Sequence, residues 1–410
     1  MSGTAEHIVI VGGGHGGGSA AAFLRQFGWT GPITLISEEP IPPYHRPPLS
    51  KAWLKGEADA NSLALRPAAF YTDQKVTLRL STRVTSIDRT AKSVQLEGGE
   101  SVAYDHLILA LGSRARKLDV PGADLAGILA LRSAADADQL KAALGPGKRL
   151  AIIGGGYIGL EAAASGRALG AEVVVIEREA RVLARVASKP LSDFFETYHQ
   201  KHGVVLELEA GVAGFEGKDG HVSGVKLSDG RVIPCDAALV GVGGLANEEL
   251  ARAAGIECLV GIVVDEQART SDPAVHAIGD CTHRPMPLYH RNLRLESVPN
   301  ALEQAKQAAA DLCGRTPPAP EVPWFWSDQY DIKLQIAGLA HDVTEMIVRG
   351  NPDEARFAVF HLNADGVVQA VEAVNSAPEF MAGKSLIAKR KPIDRDKLRD
   401  PTVSMKEIAA

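Results

Sequence analysis

The sequence predicts an α/β protein: two related βαβ domains followed by a smaller α+β domain. Three observations predict it. The stretches 8–39 and 150–179 share one plan, a β-branched strand, a glycine cluster, an alanine-rich helix, a second β-branched strand and an acidic end. Each is followed by a β-rich run with turn signals that closes on an apolar strand and a glycine, Gly112 in one half and Gly243 in the other. From about Trp324 the pattern changes to short antiparallel-looking strands and a helix from about Pro378 to Lys389, beyond the proline-rich linker RTPPAPEVP at 315–323.

The first glycine cluster, Gly12, Gly14 and Gly17, is a G-x-G-x-x-G directly after the strand HIVIV. The first glycine permits a tight turn, the second lets backbone approach a pyrophosphate, and the third allows close packing of helix on strand. The helix N-terminus then offers N–H groups and the positive end of its dipole to phosphates. Glu38, ending the second strand, is placed to accept hydrogen bonds from a ribose. Gly154, Gly156 and Gly159 repeat the motif, with Glu177 in the acidic position. A carboxylate there favours a free ribose 2′-OH and repels a 2′-phosphate, so the second site should prefer NADH to NADPH, with Arg178 adjoining it. Two copies in full strand–glycine–helix–strand–acid context predict two Rossmann-like dinucleotide-binding domains and electron traffic between two dinucleotides. In TSDPAVHAIGDC, at 270–281, an apolar strand ends on Gly279 and Asp280, which puts a carboxylate where such a fold would hold the middle of its cofactor.

Bulk properties set the other limits. With 410 residues, about two or three domains are expected. Hydrophobic content of 45% with 23% charged residues is that of a globular protein, and no stretch approaches the roughly 20 apolar residues of a membrane span. The N-terminus has no basic head, long apolar stretch or small-residue cleavage site, so no secretory signal is expected. A net charge of −6 argues against nucleic acid as a partner. The four cysteines, Cys235, Cys258, Cys281 and Cys313, are too dispersed for a CxxC or a zinc set, so no metal is expected and a reducing cytoplasm fits best.

Beyond these features, PPLSK, AIIGGGYIGLE, TSDP, IGDC, ESVPNALEQA and PWFWSDQY together resemble the FAD-containing, NADH-dependent ferredoxin reductases of cytochrome P450 and aromatic-ring dioxygenase systems, the putidaredoxin reductase family. The resemblance covers essentially the whole chain. It implies a glutathione reductase-like fold with a discontinuous FAD domain (1–114 and 244–323), an inserted NAD domain (115–243) and a C-terminal α+β domain (324–410). It also implies an activity: NADH delivers hydride to the flavin, and electrons leave singly to a [2Fe–2S] ferredoxin in a transient, electrostatically steered complex. A monomer is expected.

The resemblance assigns residues as well. For FAD it implies Gly12, Gly14, His15, Gly16 and Gly17 in the loop, Glu38, Arg46 on the adenosine or pyrophosphate side, Val84, Ala110 and Gly112 beside the adenine half, Arg132, Gly279, Asp280 at the ribitol, Val298 near the ring, and Trp326, which is also a candidate at the electron exit. For NADH it implies Gly154, Gly156, Tyr157, Ile158, Gly159, Glu161, Glu177 and Gly243, with Tyr157 covering the flavin until nicotinamide displaces it. Lys51, near N5 and paired with Glu161, forms the expected catalytic pair: a fixed cation there stabilises electron density on the reduced ring. Arg291, Arg294, Lys306, Arg315 and Lys333 are candidates for docking an acidic ferredoxin.

Two departures sharpen the reading. Disulfide reductases and NADH oxidases of this fold carry a redox cysteine in the first helix or its neighbouring loop, whereas GGGSAAAFLRQFG and PYHRPPLSK carry none. That disfavours an NADH oxidase or disulfide reductase; a redox-sensing flavoprotein resembling apoptosis-inducing factor is the other alternative. In GVGGLANEEL, Ala246 replaces the proline common in relatives, which predicts a less rigid loop. The charged run KRKPIDRDK near the C-terminus reads as solvated surface.

Overall fold

In the first unit of the computed structural model, which describes residues 6–409, the β-branched run Ile8–Val11 is the middle strand of a five-stranded parallel sheet. Its order is Val275–Ala277, His106–Leu109, Ile8–Val11, Ile33–Ile36, Val76–Arg79. All four residues of Ile8–Val11 are buried, as expected for a parallel strand covered on both faces, which reads as an unbroken apolar run. One face packs Ile8, Ile10 and Leu35 against Ala20, Leu24, Ala305 and Ala309, and the other packs Val9 and Leu107 with Ile262 and Ala251. This unit gathers the described residues up to Arg46 with Asp59–Arg114 and Leu245–Glu321.

The second unit gathers Pro47–Ala58, Ala115–Gly244 and the residues from Val322 onward. It repeats the first sheet: Val204–Glu207, Glu172–Ile176, Arg149–Ile153, Ala237–Val240 and Ile128–Leu129, all parallel. Its second five-stranded sheet is antiparallel, in the order Trp324–Gln329, Ile332–Gly338, Val368–Val374, Arg356–Leu362, Glu345–Asn351. The helix Ala377–Lys389 buries Phe380, Leu386 and Ile387.

Two features differ from the sequence expectation. The segment Pro47–Ala58, expected with the first domain, packs with the second unit, because Leu54 is fully buried in the core that contains Leu140, Leu150 and Leu160. That core also runs from Leu191 and Phe195 to Leu334, Phe357 and Val374, so the C-terminal sheet shares it. The C-terminal charged run is largely exposed, as the sequence predicts, and the chain around it is anchored. Buried Arg349 donates to the carbonyls of Leu398 (3.2 Å), Asp400 (2.6 Å) and Val403 (2.6 Å), and Glu345 accepts from Arg395 at 2.9 Å. A buried guanidinium needs several acceptors, and the backbone after the run supplies them.

Candidate active site

The two glycine loops are built by the same steric constraint. Gly12 has φ +117°, and a Cβ there would lie 2.1 Å from the Ala110 carbonyl oxygen; a Cβ on Gly17 would lie 2.0 Å from the Gly12 oxygen. In the second loop Gly154 has φ +108°, and a Cβ on Gly159 would lie 2.2 Å from the Gly154 oxygen. No L-residue with a side chain closes these turns. The middle glycines face open space instead. The nearest atom to a Cβ on Gly14 is Arg46 Nε at 3.9 Å, and nothing lies within 4 Å of one on Gly156. Helices His15–Phe27 and Tyr157–Ala168 begin there, and neither is capped by a side chain. Open space at an uncapped helix N-terminus fits the phosphates of a dinucleotide in both units.

Around the first loop, Arg46 is held by Glu39 at 2.5 Å, and Glu39 also accepts from Tyr44 Oη at 2.5 Å. His15 is buried, with Nε2 3.2 Å from Nδ1 of His45. Burial, with the nearby Arg66 cation, depresses the His45 imidazole below its ordinary value. Glu38 is placed otherwise than the sequence implies. Val11 pairs with Ile36 and Ile153 with Ile176, so the residue that matches Glu177 is Ser37. A Cβ on Gly13 would meet Ser37 Oγ, just as one on Gly155 would meet Glu177 Oε2. Glu38 stands one residue further on, exposed and 3.6 Å from Arg83. The register leaves both acidic residues, Glu38 and Glu39, beyond Ser37, the residue that directly follows the strand.

Other expected residues fall as follows. Ala110 and Gly112 follow the strand His106–Leu109. Asp280 accepts from Ser113 Oγ at 3.2 Å, and the Gly279 N–H donates to Gln304 Oε1 at 2.8 Å. Val298 opens the helix Val298–Leu312, which Ser297 caps. Val84 begins a strand paired with Leu96 in a separate three-stranded sheet. Arg132 belongs to the second unit, where its N–H donates to Asp136 at 3.0 Å. The loop at Ala246 is tied down without a proline: Asn247 donates its backbone N–H to Gly112 and its amide to Leu111, at 3.0 and 2.9 Å, and Arg114 donates to its Oδ1 at 2.9 Å. Of the docking candidates, Arg291, Lys306, Arg315 and Lys333 are exposed, whereas Arg294 is partly buried and tied to Glu296.

The second unit brings together the Lys51–Glu161 pair. Lys51 Nζ lies 2.6 Å from Glu161 Oε2, with their side chains 17% and 3% exposed. Glu161 stands on the helix that starts at the second loop, and Ser50 Oγ donates to the same oxygen at 2.5 Å. The Ser50 carbonyl accepts from Ser165 Oγ at 2.6 Å, which fixes PPLSK on that helix. Ser327 Oγ donates to Glu161 Oε1 at 2.6 Å. Glu177 accepts from the Gly155 N–H at 2.7 Å and the Glu179 N–H at 2.9 Å, so its carboxylate also shapes the loop. Tyr157 packs edge-on against Phe325, ring centroids 4.9 Å apart, and burial first, then Glu372, pushes its phenol well up. Ile158 is half exposed, and Trp326 lies beside Trp324, itself packed on Phe380. Ser50 and Ser327 lie inside PPLSK and PWFWSDQY, and Ser165 on the glycine helix, but nothing in the sequence singles out their hydroxyls.

The cysteines are unsuited to thiol relay. All four are free. Burial pushes the Cys281 thiol up to about 12 and that of Cys235 up to about 11, so neither supplies a thiolate near neutrality. Among the described residues there is no cluster of three or more metal-ligating side chains, and no helix is long and apolar enough to cross a membrane.

Comparison with known proteins places this geometry. Residues 6–305 match the model of the pyridine nucleotide-disulphide oxidoreductase family, and residues 324–409 match the reductase C-terminal family. A relative from Castellaniella defragrans, named probable ferredoxin reductase CtmF, is 51% identical over 98% of this chain and 99% of its own. The reductase in the covalent putidaredoxin reductase–putidaredoxin complex superposes with a TM-score of 0.96 at 42% identity, over 99% of this chain and 98% of that one. The ferredoxin reductase for the CYP199A2 system of Rhodopseudomonas palustris gives 0.95 at 41% identity, over 99% of this chain and 100% of that one.

Proposed function

The chain belongs to the pyridine nucleotide-disulphide oxidoreductase family, and from that premise we propose that it is an FAD-containing, NADH-dependent ferredoxin reductase serving a cytochrome P450 or aromatic-ring oxygenase. The single observation that carries the reading is a buried Lys51–Glu161 ion pair on the helix of the second glycine loop, in a chain with no cysteine in the first helix or in PYHRPPLSK. The ferredoxin reductases among its relatives support it.

The chain's own residues divide the work. The loop Gly12–Gly17, with His15, Arg46, Gly279 and Asp280, would hold FAD. Gly154–Gly159 with Tyr157 and Glu177 would hold NADH. Bound together, the two cofactors supply hydride transfer and one-electron release, so no side chain is required as a nucleophile. Lys51 supplies a fixed cation, and Glu161 keeps that cation in one place; preorganised charge of this kind lowers the barrier without reorganisation during the reaction. The partner is a [2Fe–2S] ferredoxin met in a transient, salt-sensitive encounter, and the free, largely buried thiols suit a reducing cytoplasm.

The test is steady-state NADH oxidation by the FAD-loaded protein with a panel of [2Fe–2S] ferredoxins and cytochrome c as terminal acceptor, against oxygen alone and a disulfide. Strong stimulation by a ferredoxin, weakening with salt, is expected. Brisk turnover on oxygen or disulfide with no stimulation by any ferredoxin would overturn the reading.

A further inference from the structure

Behind Glu161 runs a buried chain of hydrogen bonds within the second unit. Ser327 Oγ donates to Glu161 Oε1 at 2.6 Å; Gln329 Nε2 donates to Ser327 Oγ at 3.1 Å. Gln329 Oε1 lies 2.8 Å from His199 Nε2, and Tyr330 Oη lies 3.2 Å from His199 Nδ1. Ser327 and Gln329 are each 1% exposed and His199 0%. Ser327 and Gln329 alternate along the strand Trp324–Gln329 and so share one face, while His199 comes from the helix Lys189–Lys201. Tyr198, His202 and Asp331 flank the far end.

The chain has one self-consistent direction while Glu161 is ionised. A carboxylate only accepts, so Ser327 must spend its single proton on Glu161. Gln329 must then turn its amide toward Ser327 and its carbonyl toward His199. His199 must therefore carry its proton on Nε2 and accept from Tyr330 at Nδ1. A neutral ring is what the site favours: burial depresses the His199 imidazole to about 4, against the hydrogen bond to Gln329 and with a small contribution from His202. Every donor points at Glu161, whose other oxygen already accepts from Lys51 and Ser50.

We propose that Ser327, Gln329 and His199 are positioning residues for the Lys51–Glu161 pair, forming a one-directional chain whose polarity, read out as the tautomer of His199, is set by the charge on Glu161. The positioning role rests on the proposed function of that pair; the coupling of tautomer to charge does not. Chains aligned in one direction polarise each other and strengthen the terminal bond to the anion.

Glu161→Gln inverts the logic. Lys51 and Ser50 both donate to one atom of residue 161, so the carbonyl of the new amide must face them and its NH2 must face Ser327. Ser327 then turns its proton toward Gln329, the Gln329 amide flips, and His199 moves its proton to Nδ1, since the unflipped arrangement leaves a buried hydroxyl without an acceptor. Two-bond 1H–15N correlation spectra of FAD-loaded protein labelled with 15N-histidine distinguish the tautomers, the His199 signals being assigned from His199→Gln. The expected result is Nε2–H in the native protein and Nδ1–H in Glu161→Gln, with no such switch when Glu161→Gln is added to Ser327→Ala. A native Nδ1–H tautomer, or one unchanged by Glu161→Gln, overturns the proposal.

Should Glu161→Gln not fold, stopped-flow reduction of the bound flavin by NADH carries the test. Ser327→Ala is expected to slow the limiting rate roughly tenfold at unchanged NADH affinity, and Ser327→Thr to restore it; an unchanged rate in Ser327→Ala overturns the positioning role. Neither readout involves a ferredoxin, so a failure of the ferredoxin assay and a failure here are distinguishable.

Discussion

The two glycine loops are one backbone solution used twice, and they differ in what lies one turn into the helix. Counted from the caps Gly14 and Gly156, Ser19 stands where Glu161 stands. Ser19 is 1% exposed and its hydroxyl has no hydrogen-bond partner among the described residues. Glu161 is 3% exposed and has three donors, Lys51, Ser50 and Ser327. The first helix carries no charge at this position for its surroundings to satisfy. The second helix carries a charge that its own unit must satisfy from two distant segments, PPLSK and PWFWSDQY. A glycine fingerprint therefore specifies a tight turn open at an uncapped helix start, and the chemistry added to it comes from whatever is brought against the following turn.

That contrast can be broken most severely by transplanting the charge. Ser19→Glu places a carboxylate in the first helix with no donors prepared for it and should destabilise by about 4 kcal/mol, whereas Glu161→Ser, which strands Lys51, should cost about 3 kcal/mol. Urea unfolding, read as a shift in midpoint at constant slope, measures both; Ser19→Glu being the milder would contradict the comparison. Next in size is the feature the loops share. Gly12→Ala drives a Cβ into the Ala110 carbonyl at a left-handed φ and should cost about 3 kcal/mol, with loss of bound flavin on gel filtration.

The buried chain behind Glu161, which has no counterpart behind Ser19, should show in pH dependence. His199 has a folded value near 4 against an ordinary 6.5, so the unfolded chain takes up this proton first as the pH falls. Stability is full above about 6.5 and declines toward 4, a loss of about 2 kcal/mol at pH 5. Thermal unfolding of His199→Gln against native protein over that range should show a flatter profile in the variant. The smallest effect concerns the residue after each second strand, Ser37 or Glu177. Glu177→Ser removes the acceptor for the Gly155 N–H and the charge that repels a 2′-phosphate, and should relax the preference for NADH over NADPH roughly tenfold, read as the ratio of kcat/KM values.

By itself the sequence determined the duplicated βαβ plan, the two glycine turns, the family resemblance and the lack of a cysteine in the first helix and in PYHRPPLSK. These are local facts: a glycine forced by a clash one turn away, an apolar run long enough for a buried strand, or a cysteine absent from a short segment. Lys51 and Glu161 were legible only because each sits inside such a segment. What the tertiary structure decided is long-range. It put Ser37 rather than Glu38 after the strand, moved Pro47–Ala58 into the second unit, gathered the carbonyls around Arg349, and lined up Ser327, Gln329 and His199 behind Glu161. A serine, a glutamine and a histidine have no periodicity and no spacing rule to announce them. Glu161 lies 166 residues from Ser327 and His199 lies 130 from Gln329, and the need to satisfy every buried donor and acceptor becomes visible only when the chain has brought them together.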